Sequence, residues 1–121
     1  MAWLTGTTGD DLIRGAREGD VIAGLSGLDV LYEKGGDDLI EGGTDRNKLI
    51  GGDGNDQLDG NGGNDFLNRG DGNGGLFGRN SRDTLVGGEG ADRLNGGIGP
   101  DVLHGEVGND RLFGDRGRSA I

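Results

Sequence analysis

Leu or Ile recurs at every ninth residue of this chain. Leu4, Ile13, Ile22, Leu31, Ile40, Leu49, Leu58, Leu67, Leu76, Leu85, Leu94, Leu103, Leu112 and Ile121 keep phase without an insertion or deletion. A period of this kind signals stacked supersecondary units and has to be read before any local propensity. Counted in nines from Gly6, the invariant apolar residue is the eighth of each block. The sixth is Asp in ten blocks: Asp11, Asp20, Asp29, Asp38, Asp56, Asp65, Asp83, Asp92, Asp101 and Asp110. It is Asn47 once, and Ala2, Gly74 or Ser119 elsewhere. The first and fourth positions are mostly Gly.

Each block therefore predicts a turn of six Gly-, Asp- and Asn-rich residues followed by a three-residue strand. Gly supplies backbone angles closed to other residues. Strand side chains alternate, so the Leu or Ile points one way and its neighbours the other. One apolar residue in nine builds no layer alone, but stacked coils can bury it in a thin core. Two blocks make one coil of strand, turn, strand, turn. The fourteen strands predict about seven coils, and at ~4.8 Å per coil a body roughly 30 Å long.

Composition excludes the alternatives. The 121 residues suit one domain, residues 1–121. With 31 Gly, 30% hydrophobic residues and a net charge of −10, an unphased chain would read as acidic and disordered. Collagen needs Gly at every third residue, which is absent. No Cys is present, so there is no disulfide scaffold. No apolar run reaches a membrane span, and the acidic balance disfavours nucleic acid. The opening MAWLTGTTGDD has neither the basic nor the apolar region of a secretory signal peptide.

Isolated motifs carry little beside the period. Asp53-x-Asn55 and Asp71-x-Asn73 begin like EF-hand loops but lack the Gly and Glu such loops need. Residues 70–75 match GxGxxG without a strand and helix around them. The single His, His104, falls at an outward position, and with no Cys there is no nucleophile set to assemble. The chain reads as a non-enzyme.

The blocks fit the pattern GGxGxDxUx, where U is large and apolar; 51–59 (GGDGNDQLD), 87–95 (GGEGADRLN) and 96–104 (GGIGPDVLH) fit in full. The chain thus resembles the RTX (repeats-in-toxin) family, the hemolysin-type calcium-binding repeats. The resemblance implies an all-β fold, a right-handed parallel β-roll with Ca²⁺ held between turns stacked on the same side, eighteen residues apart. It implies ligands from the carbonyls of positions one and three and the Asp of one turn, and from positions two and four and the Asp of the next. On that pattern the ligands are Asp11, Asp20, Asp29, Asp38, Asn47, Asp56, Asp65, Asp83, Asp92, Asp101 and Asp110. The first- and third-position carbonyls are those of Gly6, Thr8, Gly60, Gly62, Gly78, Asn80, Gly87 and Glu89. The second- and fourth-position carbonyls are those of Gly27, Gly36, Gly52, Gly54, Gly97, Gly99 and Gly108.

Both carboxylates are present at Asp11/Asp29, Asp65/Asp83, Asp83/Asp101, Asp20/Asp38, Asp38/Asp56 and Asp92/Asp110, so about six ions are expected. Gaps beside Asn47 lose a charge, and gaps beside Gly74 lose a ligand. Glu18, Asp45 and Ser81 stand in for the fourth-position Gly, and Glu33 and Arg69 for the first. These departures put the local turns in question, though not the coil.

The resemblance further implies a structural module or stand-alone repeat protein that folds on Ca²⁺ and is exported unfolded by bacterial type I secretion. An alternative is a carbohydrate-binding module of the same fold, resembling those of alginate epimerases, with Arg14, Arg79, Arg93 and Arg111 as contacts. One outer sheet is expected to be apolar, with Leu12, Val30, Phe66 and Val102. That face and the open ends at Leu4 and Ile121 offer surfaces for self-association or a neighbouring domain.

Overall fold

A computed structural model describes residues 1–121. It contains no helix, so none is long and apolar enough to cross a membrane. Thirteen three-residue strands follow one another at the ninefold spacing: β1 (Trp3–Thr5), β2 (Leu12–Arg14), β3 (Val21–Ala23), β4 (Val30–Tyr32), β5 (Leu39–Glu41), β6 (Lys48–Ile50), β7 (Gln57–Asp59), β8 (Phe66–Asn68), β9 (Gly75–Phe77), β10 (Thr84–Val86), β11 (Arg93–Asn95), β12 (Val102–His104) and β13 (Arg111–Phe113). Odd strands form a seven-stranded parallel sheet and even strands a six-stranded one. The chain is a parallel β-solenoid of about six turns. The expected fourteenth strand is reduced to a single bridge, Val102 to Ala120.

Strand residues pair with their equivalents eighteen residues on, as in Leu49↔Leu67 or Arg93↔Arg111. The register puts the eighth positions of both sheets face to face. Ile22, Leu31, Ile40, Leu49, Leu58, Leu67, Leu76, Leu85, Leu94 and Leu103 form one continuous buried core, with Leu4, Ile13 and Leu112 half-buried at its ends. Full burial of each is worth roughly 2–3 kcal/mol. The core is thin: one file of side chains from each sheet, meeting between them.

Those turns repeat as strictly as the strands. Position two or four turns left-handed in most blocks, with Gly54 at φ 132° and Gly72 at 122°. Asp45 (68°) and Ser81 (80°) accept the same conformation without being Gly, whereas Glu18 does not adopt it. The first position is different: its φ is ordinary and its Gly is required by space. A Cβ on Gly24 would sit 2.6 Å from both Asp29 Oδ2 and the Gly42 carbonyl.

The outer faces differ, as expected. Along the six-stranded sheet Leu12, Val30, Phe66 and Val102 share a row with Lys48 and Thr84. Leu12 is exposed and the other three apolar residues are half-buried. Lys48 lies over the Phe66 ring, its Nζ 6.0 Å from the centroid, so the apolar row is interrupted at its middle.

Candidate metal centres

The sixth position immediately precedes each strand, so its side chain lies at the corner where turn meets sheet. Odd-numbered strands are preceded by Ala2, Asp20, Asp38, Asp56, Gly74, Asp92 and Asp110, and even ones by Asp11, Asp29, Asn47, Asp65, Asp83 and Asp101. These two rows run along opposite edges of the solenoid. In each row the backbone N–H of one member donates to Oδ1 of the next. Asp11 N reaches Asp29 Oδ1 at 2.9 Å, Asp38 N reaches Asp56 Oδ1 at 2.9 Å, and Asp65 N reaches Asp83 Oδ1 at 2.8 Å. One oxygen of each carboxylate thus belongs to the fold.

The other oxygen does not. Oδ2 of Asp29, Asp38, Asp56, Asp65, Asp83, Asp92 and Asp101 is buried without a hydrogen-bond partner. Each points into the gap beside the first-position residue of its own turn. At Gly60, Gly78, Gly87 and Gly96, as at Gly24, the space a Cβ would fill is bounded by Asp Oδ2 at 2.5–2.7 Å. In most of these gaps the first-position carbonyl of the next coil closes the far side, as Gly96 O does 2.8 Å from the Gly78 site. Unpartnered buried carboxylates are costly, and burial raises their proton affinity. It lifts Asp56 and Asp65 to about 7 and Asp83 to about 8, and it also raises Asp29, Asp38, Asp92 and Asp101. Asp20 goes the other way: N–H groups of Ala16 and Ala2 bond to its carboxylate and hold it low.

Three departures from the repeat show what such a gap accepts. Asn47 turns its amide nitrogen toward the carbonyls of Thr44 (3.2 Å) and Asp45 (3.4 Å), the third and fourth positions of its own turn. Ser119 places its hydroxyl 3.2 Å from the Gly114 carbonyl. Arg69, fully buried, sends its guanidinium among three stacked turns. It donates to Gly54 O (2.8 Å), Gly70 O (3.1 Å), Glu89 O (3.1 Å) and Gly72 O. Its Nε is 2.7 Å from Asp92 Oδ1, an ionic contact along which the N–H is not directed. The turn that lost its Asp, at Gly74, is the turn that gained this cation. Where the Asp is missing, an N–H or O–H donor of the chain turns to the turn carbonyls; where it is kept, seven of the ten Asp leave a buried Oδ2 that no donor reaches. An all-oxygen lining with carboxylates fits a hard cation such as Ca²⁺.

Glu33 is the opposite case. It also replaces a first-position Gly, yet it brings a third carboxylate to the gap between Asp20 and Asp38. Burial, with Asp38, Asp20 and Asp56 nearby, raises it to about 8. Neither Glu33 nor Arg69 distorts its turn. Their N–H groups reach Ile50 O (2.8 Å) and Val86 O (3.1 Å), as Gly51 reaches Asn68 O (2.9 Å). Local disruption was the expectation at both positions, and the backbone ladder runs through them unbroken.

Of the residues expected to line the gaps, the Asp rows lie together along the two edges, and Asn47 sits within its row as a capped member. Gly60, Gly78 and Gly87 flank the free Asp oxygens, and Gly6 flanks Asp11 Oδ2, which accepts from the Thr7 N–H (2.6 Å). Gly27, Gly36, Gly52, Gly54, Gly97, Gly99 and Gly108 are the left-handed turn residues. Glu89 faces another coil's side chain, its carbonyl taking Arg69. Equivalent positions not singled out, Gly24, Gly51, Gly96 and Gly105, have the same surroundings. Of the four arginines, Arg93 and Arg111 are neighbours on the seven-stranded sheet, and Arg79 is tied to Asp59 of that sheet (2.6 Å). Arg14 lies on the other sheet. His104 is exposed.

A parallel solenoid whose stacked turns enclose carboxylate- and carbonyl-lined gaps defines a metal-binding repeat protein. The family model for the RTX calcium-binding nonapeptide repeat (4 copies) matches residues 3–31, 34–67, 41–76, 68–103 and 86–119, and the chain belongs to that family, as a calcium-binding β-roll. No curated protein and no solved structure matches it.

Proposed function

We propose that this chain is a single structural domain that calcium folds. The observation that carries the reading is the set of buried Asp Oδ2 atoms without a partner, repeated along both edges. At neutral pH a metal-free roll has to hold these carboxylates charged side by side or take up protons. The thin core offers little to offset that. A cation in each gap removes the penalty, and because the gap exists only when two coils are stacked, binding free energy becomes folding free energy.

The pairs Asp11/Asp29, Asp65/Asp83, Asp83/Asp101, Asp20/Asp38, Asp38/Asp56 and Asp92/Asp110 hold one ion each in this reading. Six ions would change the charge of −10 to about +2. The gaps beside Gly74 take none, since Arg69 occupies that space. The role is non-catalytic. Family membership also supports a secreted bacterial setting, with type I export of the unfolded chain into surroundings rich in calcium.

Circular dichroism during calcium titration tests the proposal. The β signal should be weak in excess EGTA and should rise with calcium to a plateau near six equivalents. A full β signal in EGTA would defeat it.

A further inference from the structure

Glu33 is the one first-position side chain that adds negative charge to a gap. The proposal it supports rests on the calcium reading above and deepens it for one gap. Glu33 is 4% exposed, and neither carboxylate oxygen has a hydrogen-bond partner. The side chain turns back one coil and fills the space in front of Gly15, where the three nearest atoms to a built Cβ all belong to its carboxyl group. Oxygens of Asp20, Glu33 and Asp38 lie within 4.8 Å of one another. No basic group of the chain pairs with them: the three ion pairs present are Met1–Glu18, Arg69–Asp92 and Arg79–Asp59. The acidic cluster does not stand alone as an observation. A buried, unpartnered carboxylate reaches across from a neighbouring coil into a gap already lined by two others.

We propose that Asp20, Glu33 and Asp38 form a three-carboxylate cation site, distinct from the two-carboxylate gaps, that fills first and prefers trivalent over divalent ions. Ligand charge count tunes the affinity of oxygen-coordinated sites for hard cations. Three carboxylates overcompensate a divalent ion and balance a trivalent one. The two-carboxylate gaps balance a divalent ion, so they should discriminate less in favour of the higher charge.

Terbium(III) is a suitable probe, because excited aromatic rings sensitise its luminescence. The chain has one Tyr and one Trp. Tyr32 directly precedes Glu33, and Trp3 pairs with Val21, the residue after Asp20. Titration of the full chain with Tb³⁺ should show a first equivalent that is sensitised and tight, and that Ca²⁺ displaces only in large excess. Glu33→Gln should weaken that first step by roughly tenfold or more and leave the later steps unchanged. Glu33→Gly restores the residue most turns use, so it should fold and bind, with its first step levelled to the others. If either variant keeps the wild-type first step, or binds it more tightly because the side chain had blocked the gap, the three-carboxylate site is overturned while calcium binding elsewhere stands. If wild type and variants bind neither Ca²⁺ nor Tb³⁺, the calcium reading itself fails.

Discussion

Two turns on the same edge of the solenoid, those beginning at Glu33 and at Arg69, replace the same glycine with opposite charges. At Arg69 the neighbouring Asp has become Gly74, and the guanidinium spans the vacated gap to carbonyls of three coils and to Asp92. At Glu33 both flanking carboxylates, Asp20 and Asp38, are kept and a third is added. One turn carries its own cation, and the other has more anionic charge than its coil can neutralise. The first position is therefore a second place in the nonapeptide, beside the sixth, from which a side chain enters the gap. Its chemistry sets whether that gap depends on metal.

The strongest test is Arg69→Ala. It leaves Asp92 and several buried carbonyls without their partner, and breaking a buried pair from one side costs about 3–5 kcal/mol. Urea unfolding should show that loss with and without calcium. A loss seen only in EGTA would mean metal can enter that gap after all. Arg69→Gly combined with Gly74→Asp restores the repeat. It should recover stability only when calcium is present and bind two further ions, counted by calorimetry, in the gaps on either side of position 74.

Acidification separates the two turns next. Burial raises Glu33 and Asp83 to about 8 and Asp56 and Asp65 to about 7, above their ordinary values near 4. A raised folded-state pKa gives stability that is full below the unfolded value and lost as pH rises through the folded one. In EGTA the β signal should thus grow as pH falls from above 8 toward 5. With calcium, protons compete for the same oxygens and apparent affinity should fall over that window. A metal-free signal that weakens on acidification would contradict this.

Gly15→Ala acts on Glu33 alone. Its methyl takes the space of the Glu33 carboxyl, the end of a flexible side chain. The carboxyl has to leave that space, so the first Tb³⁺ step should fall to the level of the others while the chain still binds calcium. The smallest effect belongs to Arg79→Ala, a cation outside any gap. Arg79 is half exposed, and its pair with Asp59 should be worth no more than about 1 kcal/mol in thermal unfolding.

The ninefold phase makes the strands, the core and the two Asp rows legible in the sequence, because each depends on periodicity alone. Leu58 and Asp56 hold the places their spacing assigns. Arg69 was readable only as a departure, and Gly74 only as a lost ligand. That the two changes answer each other depends on a side-chain path through three coils, which no periodicity encodes. Their co-occurrence within one block was the available clue. Glu33 was likewise visible as an irregularity, but its carboxyl lies one coil back, beside Gly15, and sequence separation hides that direction. Asp45 and Ser81 could not be distinguished from Glu18 on residue type, because left-handed backbone is set by how each turn stacks on its neighbour.

Asn47 on one edge and Arg69 on the other stand close to mid-length, and both satisfy their surroundings with groups the chain itself provides. The gaps that want ions lie mainly to either side. Each edge thus carries one point that the chain holds without metal, while the flanking gaps, Asp38/Asp56 and Asp65/Asp83 among them, leave buried carboxylates unpartnered. Those two points act as fixed rivets between stretches whose stacking has to be secured from outside the chain.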